Sequence, residues 1–212
     1  MNDRPEPVKV EGLPPPERNL YMRTSAVSRK TKETDIALTL ALDGGGVNVR
    51  TGVGFFDHML TALAFYAGFG LELAVEGDLE VDGHHTVEDA GIVLGQALRE
   101  ALGDRRGIRR FGSAYVPMDE ALAFTALDIS NRPFLVFEAE MPQARIGAYD
   151  ACLTEEFMRA FAFNAGLTLH MKALSGRNAH HITEGLFKSL GLALKDAVRV
   201  EGGGVTSTKG VL

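Results

Sequence analysis

The motif His-His-x-x-Glu occurs twice, at residues 84–88 and 180–184, and each copy precedes an apolar pattern that predicts a helix. Residues four positions apart share a helix face, so the first histidine and the glutamate of each copy project together. The second histidine points about 100° away, because a helix has 3.6 residues per turn. Imidazole and carboxylate donors without sulfur suit manganese, iron, zinc or nickel. We therefore expect each helix start to offer ligands to two different metal ions.

A simpler explanation of these motifs is an acidic residue in the first turn of a helix, which the helix dipole favours. That explanation covers either glutamate, but not paired histidines at both places in a chain with six histidines. His170 is a different case, because it lies on the polar side of a predicted strand and is interpreted as facing solvent or supporting a ligand. The metal hypothesis therefore concerns the two motifs rather than every histidine.

The composition is that of an ordinary globular domain. The 212 residues are 45% hydrophobic and 24% charged. A net charge of −6 argues against a general nucleic-acid binder, and no apolar run is long enough for a membrane span or a signal peptide. The single cysteine, Cys152, excludes an intrachain disulfide and a thiolate metal cluster. We expect a cytoplasmic protein with no nucleic-acid partner and no membrane partner.

Two halves of the chain can be laid over each other. Residues 57–68 match residues 155–166 without a gap, and in each half a strand, a loop and a His-His-x-x-Glu helix follow. This internal duplication of a strand–strand–helix–strand–helix unit predicts an α+β fold of antiparallel sheets with helices on one face. The overlay also places His58 on Glu156, so that each half supplies four possible metal ligands.

The duplication predicts a single catalytic domain of two pseudo-repeats, at about 21–105 and 106–212. A Pro-rich extension at 1–20 precedes it and is predicted to be disordered. Alternating residues predict strands at 21–30, 36–42, 71–76, 109–117, 121–129, 133–140 and 167–172. Helical periodicity and closing glycines predict helices at 55–67, 84–102, 153–165 and 180–198.

Several motifs together resemble the imidazoleglycerol-phosphate dehydratase family of histidine biosynthesis. They lie at residues 56–60, 84–89, 107–112, 178–184, 187–188 and 207–210, and the resemblance runs from about residue 23 to residue 212. It implies a fold like the second domain of ribosomal protein S5. It also implies two manganese ions per active site, and a homo-oligomer of 24 subunits with its sites at subunit contacts. The reaction that it implies is dehydration of D-erythro-imidazole glycerol phosphate, a small phosphorylated imidazole substrate, to imidazole acetol phosphate.

The resemblance also implies roles for particular residues. Glu156 and Tyr66 stand where relatives often have a histidine, and Glu156 is expected to keep the ligand role. The implied metal ligands are His58, His84, His85, Glu88, Glu156, His180, His181 and Glu184. The implied substrate-binding residues are Glu33, Arg110, Arg132, Lys188, Ser207 and Lys209.

The substrate explains why such a site is needed. No carbonyl lies next to the proton that must leave, so a base alone would act slowly. Two ions on the ring nitrogens would stabilise an imidazolate, which can expel the adjacent hydroxyl. A carboxylate then takes the proton, and Glu33 is the candidate, beside the metal-binding Glu88 and Glu184. Asp119 is interpreted as a carboxylate with a structural or supporting role.

Two other functions fit the same residues. A dinuclear metallohydrolase acting on a phosphate ester would also activate water at such a site. A non-enzymatic, metal-dependent assembly module is the second alternative, because fold does not determine function.

Overall fold

The computed structural model describes residues 23–208 and residue 210, so the extension predicted at 1–20 and Lys209 lie outside the described residues. The first half begins with the strands β1 (Thr24–Lys30), β2 (Thr34–Ala41) and β3 (Val47–Arg50). It continues with helix α1 (Gly54–Ala67), strand β4 (Gly70–Gly77) and helix α2 (His84–Leu102).

The second half repeats this order, with one small hairpin added. Its first strands are β5 (Phe111–Met118), β6 (Ala121–Asp128) and β7 (Phe134–Glu138). The added hairpin consists of β8 (Arg145–Ile146) and β9 (Tyr149–Asp150). Helix α3 (Leu153–Ala165), strand β10 (Thr168–Ser175) and helix α4 (Ala179–Ala197) follow.

Both halves form a four-stranded sheet with the same strand order, β1-β2-β4-β3 in the first and β5-β6-β10-β7 in the second. The predicted duplicated α+β fold is therefore confirmed. The expectation of purely antiparallel sheets is wrong, because β3 runs parallel to β4 and β7 runs parallel to β10. Each parallel pair is joined through a helix, α1 or α3, which carries the chain back to the same end of the sheet. The four-residue strand β3 was not predicted, since it is too short for a periodic pattern.

The helices lie on the inner faces of the two sheets. In β2, Ile36, Leu38 and Leu40 are at most 3% exposed, while the alternate residues face outward. Helix α2 packs on the first sheet and against α3, whereas α4 packs on the second sheet and against α1. One hydrophobic core therefore extends through both halves.

Two glycines show that the duplication extends to the packing of the helices. A Cβ atom on Gly95 of α2 would lie 2.7 Å from the carbonyl oxygen of Phe161 in α3. A Cβ atom on Gly191 of α4 would lie 2.7 Å from the carbonyl oxygen of Leu63 in α1. Leu63 and Phe161 are equivalent positions in the gapless overlay of the halves. The halves thus interlock, each placing its last helix on the other's first helix.

In the part of the chain that the structure describes, no helix has the length and apolar character needed to cross a membrane.

Candidate metal and substrate site

The contact between α1 and α4 brings three possible metal ligands together. The donor atoms of His58, His180 and Glu184 all lie within 4.8 Å of one another. The Nε2 atoms of His58 and His180 lie 3.5 Å and 3.1 Å from the same carboxylate oxygen, Oε2 of Glu184. Two imidazoles converging on one buried carboxylate form a nitrogen and oxygen donor set that suits a divalent transition metal. It is the one such group of three or more donors among the described residues.

The electrostatic surroundings keep the Glu184 carboxylate deprotonated, the form in which it can bind a metal ion. Burial raises the pKa of this carboxyl, but the hydrogen bond from Lys188 and the nearby His58 and His180 outweigh burial, so the pKa is lowered overall. The Lys188 Nζ atom lies 2.7 Å from Oε1 of Glu184 and 5.5 Å from the centroid of the Tyr66 ring. The hydrogen bond to Glu184 in turn raises the pKa of Lys188. Both groups are therefore charged at neutral pH.

The equivalent cluster of the first half is less complete. The Nε2 atom of His84 lies 3.5 Å from Oε2 of Glu88, as the spacing of four residues predicts. Glu156 lies on α3, which packs on α2, but its carboxylate is not gathered with this pair. Its Oε2 atom lies 4.0 Å from Nε of Arg159 instead. The structure thus groups His58 with the His/Glu pair of the second half, and it does not group Glu156 with the His/Glu pair of the first half.

The second histidines of the two motifs face loop carboxylates, Asp78 after β4 and Glu120 between β5 and β6. The Nδ1 atom of His85 lies 3.0 Å from Asp78, and that of His181 lies 2.8 Å from Glu120. These hydrogen bonds raise the pKa of each imidazole, and His181 lowers the pKa of Glu120 to about 2. A carboxylate on one ring nitrogen is the usual support of a metal-binding histidine. The contact fixes the ring and leaves Nε2 as the outward ligand atom.

Each outward Nε2 atom has a second carboxylate beside it. Oε1 of Glu33 lies 3.8 Å from Nε2 of His85, and Oδ2 of Asp119 lies 3.7 Å from Nε2 of His181. Glu33 lies in the β1–β2 hairpin and Asp119 in the β5–β6 hairpin, so each carboxylate comes from the first hairpin of its half. Glu33 is a predicted substrate-binding residue, whereas the role predicted for Asp119 is structural or supporting. The presence of an acidic residue in the first hairpin of each half is the signal that could have related them.

Arg110 and Arg132, two of the predicted substrate-binding residues, meet at Asp128. Arg110 donates to both carboxylate oxygens, with Nε 2.6 Å from Oδ1 and Nη2 3.0 Å from Oδ2. Nη2 of Arg132 lies 3.5 Å from Oδ2 of the same carboxylate. Asp128 was not predicted as a site residue, because nothing in its strand pattern distinguishes it from other polar outward residues.

The C-terminal segment reaches the same place. Arg110 donates from Nη1 to the carbonyl oxygen of Thr206 at 2.7 Å, and the Thr206 hydroxyl donates to the carbonyl of Ile108 at 2.9 Å. The backbone N–H of Gly107 donates to the carbonyl of Gly204 at 2.7 Å. Ser207 follows directly, so the predicted hydroxyl donor lies in the segment held beside Arg110.

The predicted substrate-binding residues therefore fall into two groups. Lys188 and Glu33 lie with the metal-binding motifs, whereas Arg110, Arg132 and Ser207 lie elsewhere. The backbone N–H of Arg110 donates to the carbonyl of Ala197, at the end of α4. Glu184 is near the start of that helix, about 20 Å away at 1.5 Å per residue. In addition, Asp128 is on the outer face of its sheet, and α4 packs on the inner face. The two groups of one chain are separate.

Comparisons with known proteins agree on one family. The family model described as imidazoleglycerol-phosphate dehydratase matches residues 51–194. The chain is 58% identical over 193 residues to imidazoleglycerol-phosphate dehydratase of Acetivibrio thermocellus, which covers 90% of this chain and 99% of that protein. The relative from Symbiobacterium thermophilum is 58% identical over 196 residues, covering 91% and 94%. The crystal structure of the Staphylococcus aureus enzyme is similar with a TM-score of 0.77 and 38% identity, covering 84% of this chain and 99% of that one. The crystal structure of the Pyrococcus furiosus enzyme is similar with a TM-score of 0.77 and 42% identity, covering 88% of this chain and 100% of that one.

Proposed function

Since this chain belongs to the imidazoleglycerol-phosphate dehydratase family, we propose that two manganese ions per active site support its reaction. The chain is an enzyme of histidine biosynthesis, a hydro-lyase that acts on a phosphorylated imidazole substrate. The reaction proposed in detail is conversion of D-erythro-imidazole glycerol phosphate to imidazole acetol phosphate, with the substrate ring held as a dimanganese-bound imidazolate. The convergence of His58, His180 and Glu184 within 4.8 Å is the observation that supports a metal reaction most directly.

The donor set fits divalent manganese, because it consists of imidazole nitrogens and carboxylate oxygens. When bound, the two ions would act as Lewis acids that stabilise negative charge on the imidazole ring. The carboxylates of Asp78 and Glu120 hold His85 and His181 with Nε2 outward. The residues proposed to hold the ions are His58, His84, His85, Glu88, Glu156, His180, His181 and Glu184.

Glu33 is the proposed base for the chemical step. Its side chain is 52% exposed and lies 3.8 Å from the outward Nε2 atom of His85. A carboxylate there can take the proton from the second carbon of the chain, which neighbours the ring-bound carbon that loses its hydroxyl, once the ring is held. Glu88 and Glu184 contribute as ligands rather than as bases. Lys188, beside Glu184, can donate to an oxygen of the substrate.

The separation of the two residue groups supports a site shared between subunits. An imidazole ring bearing a three-carbon phosphate chain is roughly 10 Å long at about 1.5 Å per bond. A substrate of that length is shorter than the rise of about 20 Å along α4 from Glu184 to Ala197, whose carbonyl accepts from the backbone N–H of Arg110 of the same chain. We infer that the phosphate end is bound by Arg110, Arg132, Ser207 and Lys209 of another copy. The proposed assembly has 24 subunits, and a cytoplasmic location is proposed from the single cysteine.

Metal analysis combined with an activity assay tests the proposal. Purified protein is stripped with a chelator and reloaded separately with manganese, zinc and magnesium. Loss of water from imidazole glycerol phosphate should disappear on stripping and return with manganese, at two ions per site. Full turnover by verified metal-free protein would contradict the metal proposal. Release of inorganic phosphate without dehydration would instead favour the metallohydrolase.

A further inference from the structure

Asp128 contacts both arginines that the proposed function assigns to the substrate phosphate. It is the last residue of β6, on the outer face of the second sheet. Its carboxylate accepts two short hydrogen bonds from Arg110 and lies 3.5 Å from Arg132. The Asp128 side chain is only 16% exposed, so water screens these contacts weakly. One carboxylate therefore organises two cations.

Arg110 is held on several sides. Its side chain is 11% exposed, and its guanidinium carbon lies 4.7 Å from the centroid of the Phe111 ring. Of its five N–H donors, two bind Asp128 and one binds the carbonyl of Thr206. Counting contacts with the described residues, one N–H remains on each terminal nitrogen. The hydrogen bond with Asp128 raises the pKa of Arg110, so the guanidinium stays charged.

Arg132 is held much less firmly. Its side chain is 67% exposed, and its contact with Asp128 is a single approach of 3.5 Å. Such a contact contributes little energy, so the guanidinium can turn away at small cost. The backbone of Arg132 is more restrained, since its carbonyl accepts a hydrogen bond from the Thr168 hydroxyl at 2.9 Å. The Arg132 side chain can therefore move while its backbone stays in place.

We propose that Asp128 is a positioning residue for the substrate phosphate, holding Arg110 fixed and releasing Arg132 to close on the same group. This inference rests on the proposed function, which assigns the two arginines to the phosphate. Charge alone predicts the opposite effect of Asp128, since removing it leaves two uncompensated cations and should strengthen phosphate binding. We expect the positioning of Arg110 to affect phosphate binding more than the added positive charge does, because Arg110 is buried and donates two hydrogen bonds directly to Asp128. A guanidinium already oriented loses less freedom when the ligand binds.

Inhibition by two separate probes tests the role of Asp128. Inorganic phosphate competes for the phosphate end, whereas imidazole competes for the metal end. In the assembled manganese enzyme, Asp128→Asn should raise the inhibition constant for phosphate roughly ten-fold, the value of one charge-assisted contact. The inhibition constant for imidazole should stay within about two-fold, and KM should rise while kcat is largely kept.

Glu138→Gln is the matched control. Glu138 forms an ion pair with Lys172 at 2.8 Å on the same sheet, away from both arginines. This variant should change neither inhibition constant. Asp128→Asn combined with Arg110→Ala should bind phosphate no more weakly than Arg110→Ala alone, because Asp128 acts through Arg110.

The possible failures are distinguishable. Thermal unfolding and particle mass show whether each variant folds and assembles. If Asp128→Asn does not fold, Asp128→Glu replaces it, because this change shifts the carboxylate by one methylene. A folded Asp128 variant with unchanged or tighter phosphate inhibition would overturn the positioning role. If Arg110→Ala and Arg132→Ala also leave phosphate inhibition unchanged, the failure belongs to the phosphate assignment of the proposed function.

Discussion

Mixing two inactive variants tests whether the active site is shared between subunits. His180→Ala removes a ligand at the metal end, and Arg110→Ala removes a cation at the phosphate end. The two positions lie near opposite ends of α4, which has 19 residues and is about 28 Å long. If each site takes its metal end from one copy and its phosphate end from another, mixed assemblies contain some sites with both ends intact. Mixing should therefore restore activity that neither variant has alone.

The expected magnitude follows from random assembly. In an equal mixture, a site has an intact metal end half of the time and an intact phosphate end half of the time. Activity should therefore return to at most about one quarter of the wild-type value in a symmetric oligomer. The assay is dehydration of imidazole glycerol phosphate by co-expressed variants that carry different affinity tags.

The matched control is a mixture of His180→Ala with Lys188→Ala. These residues lie two turns apart on α4, and both contact or approach Glu184. One copy supplies both of them to a site, so this mixture should recover clearly less activity than the first one. Equal activities in the two mixtures would refute the shared-site reasoning, provided that both form particles of wild-type mass.

Three further predictions follow from the structure. His84→Ala and His180→Ala should each lose bound metal and activity together, while His170→Ala, at an exposed strand position, should keep both. The metal content is measured by mass spectrometry, and full metal loading in the first two variants would contradict the ligand assignment. Gly191→Ala should destabilise the fold by about 1–3 kcal/mol, because its Cβ would lie 2.7 Å from the carbonyl of Leu63; Gly54→Ala, with open space around its Cβ, is the control in denaturant unfolding, and equal midpoints would show that α1 and α4 can separate without cost. The side-chain hydrogen bond from Arg23 lowers the pKa of Asp43 in the folded protein below its ordinary value of 3.8, so the pair stabilises the fold fully above the pKa of the unfolded chain and loses this effect as the pH falls through the pKa of the folded protein. Asp43→Asn should therefore lower the free energy of unfolding by about 0.5–1 kcal/mol at pH 7 and not at all in strong acid. Unfolding is measured in the presence of a chelator, and a loss that does not change with pH would contradict this account.

Local periodicity was enough to pair His84 with Glu88 and His180 with Glu184, because residues four apart share a helix face in any helix. It also predicted that His85 and His181 point elsewhere, as their contacts with Asp78 and Glu120 show. The helix ends at Gly68 and Gly166 follow from the same local rules, since both glycines adopt the left-handed conformation. The gapless overlay of the halves predicted the duplicated fold.

Only the tertiary structure decided which histidine joins which glutamate across the halves. His58 meets Glu184, more than a hundred positions later in the chain, because α1 packs on α4 where Gly191 lets the two backbones approach. No local pattern encodes that contact, which depends on the fit between two surfaces. The parallel strand pairs, the junction of Arg110 with Asp128, and the distance between the metal and phosphate ends have the same origin. They arise from how the two sheets enclose the helices, whereas the residue types and spacings of the motifs determine only the chemistry that each end can perform.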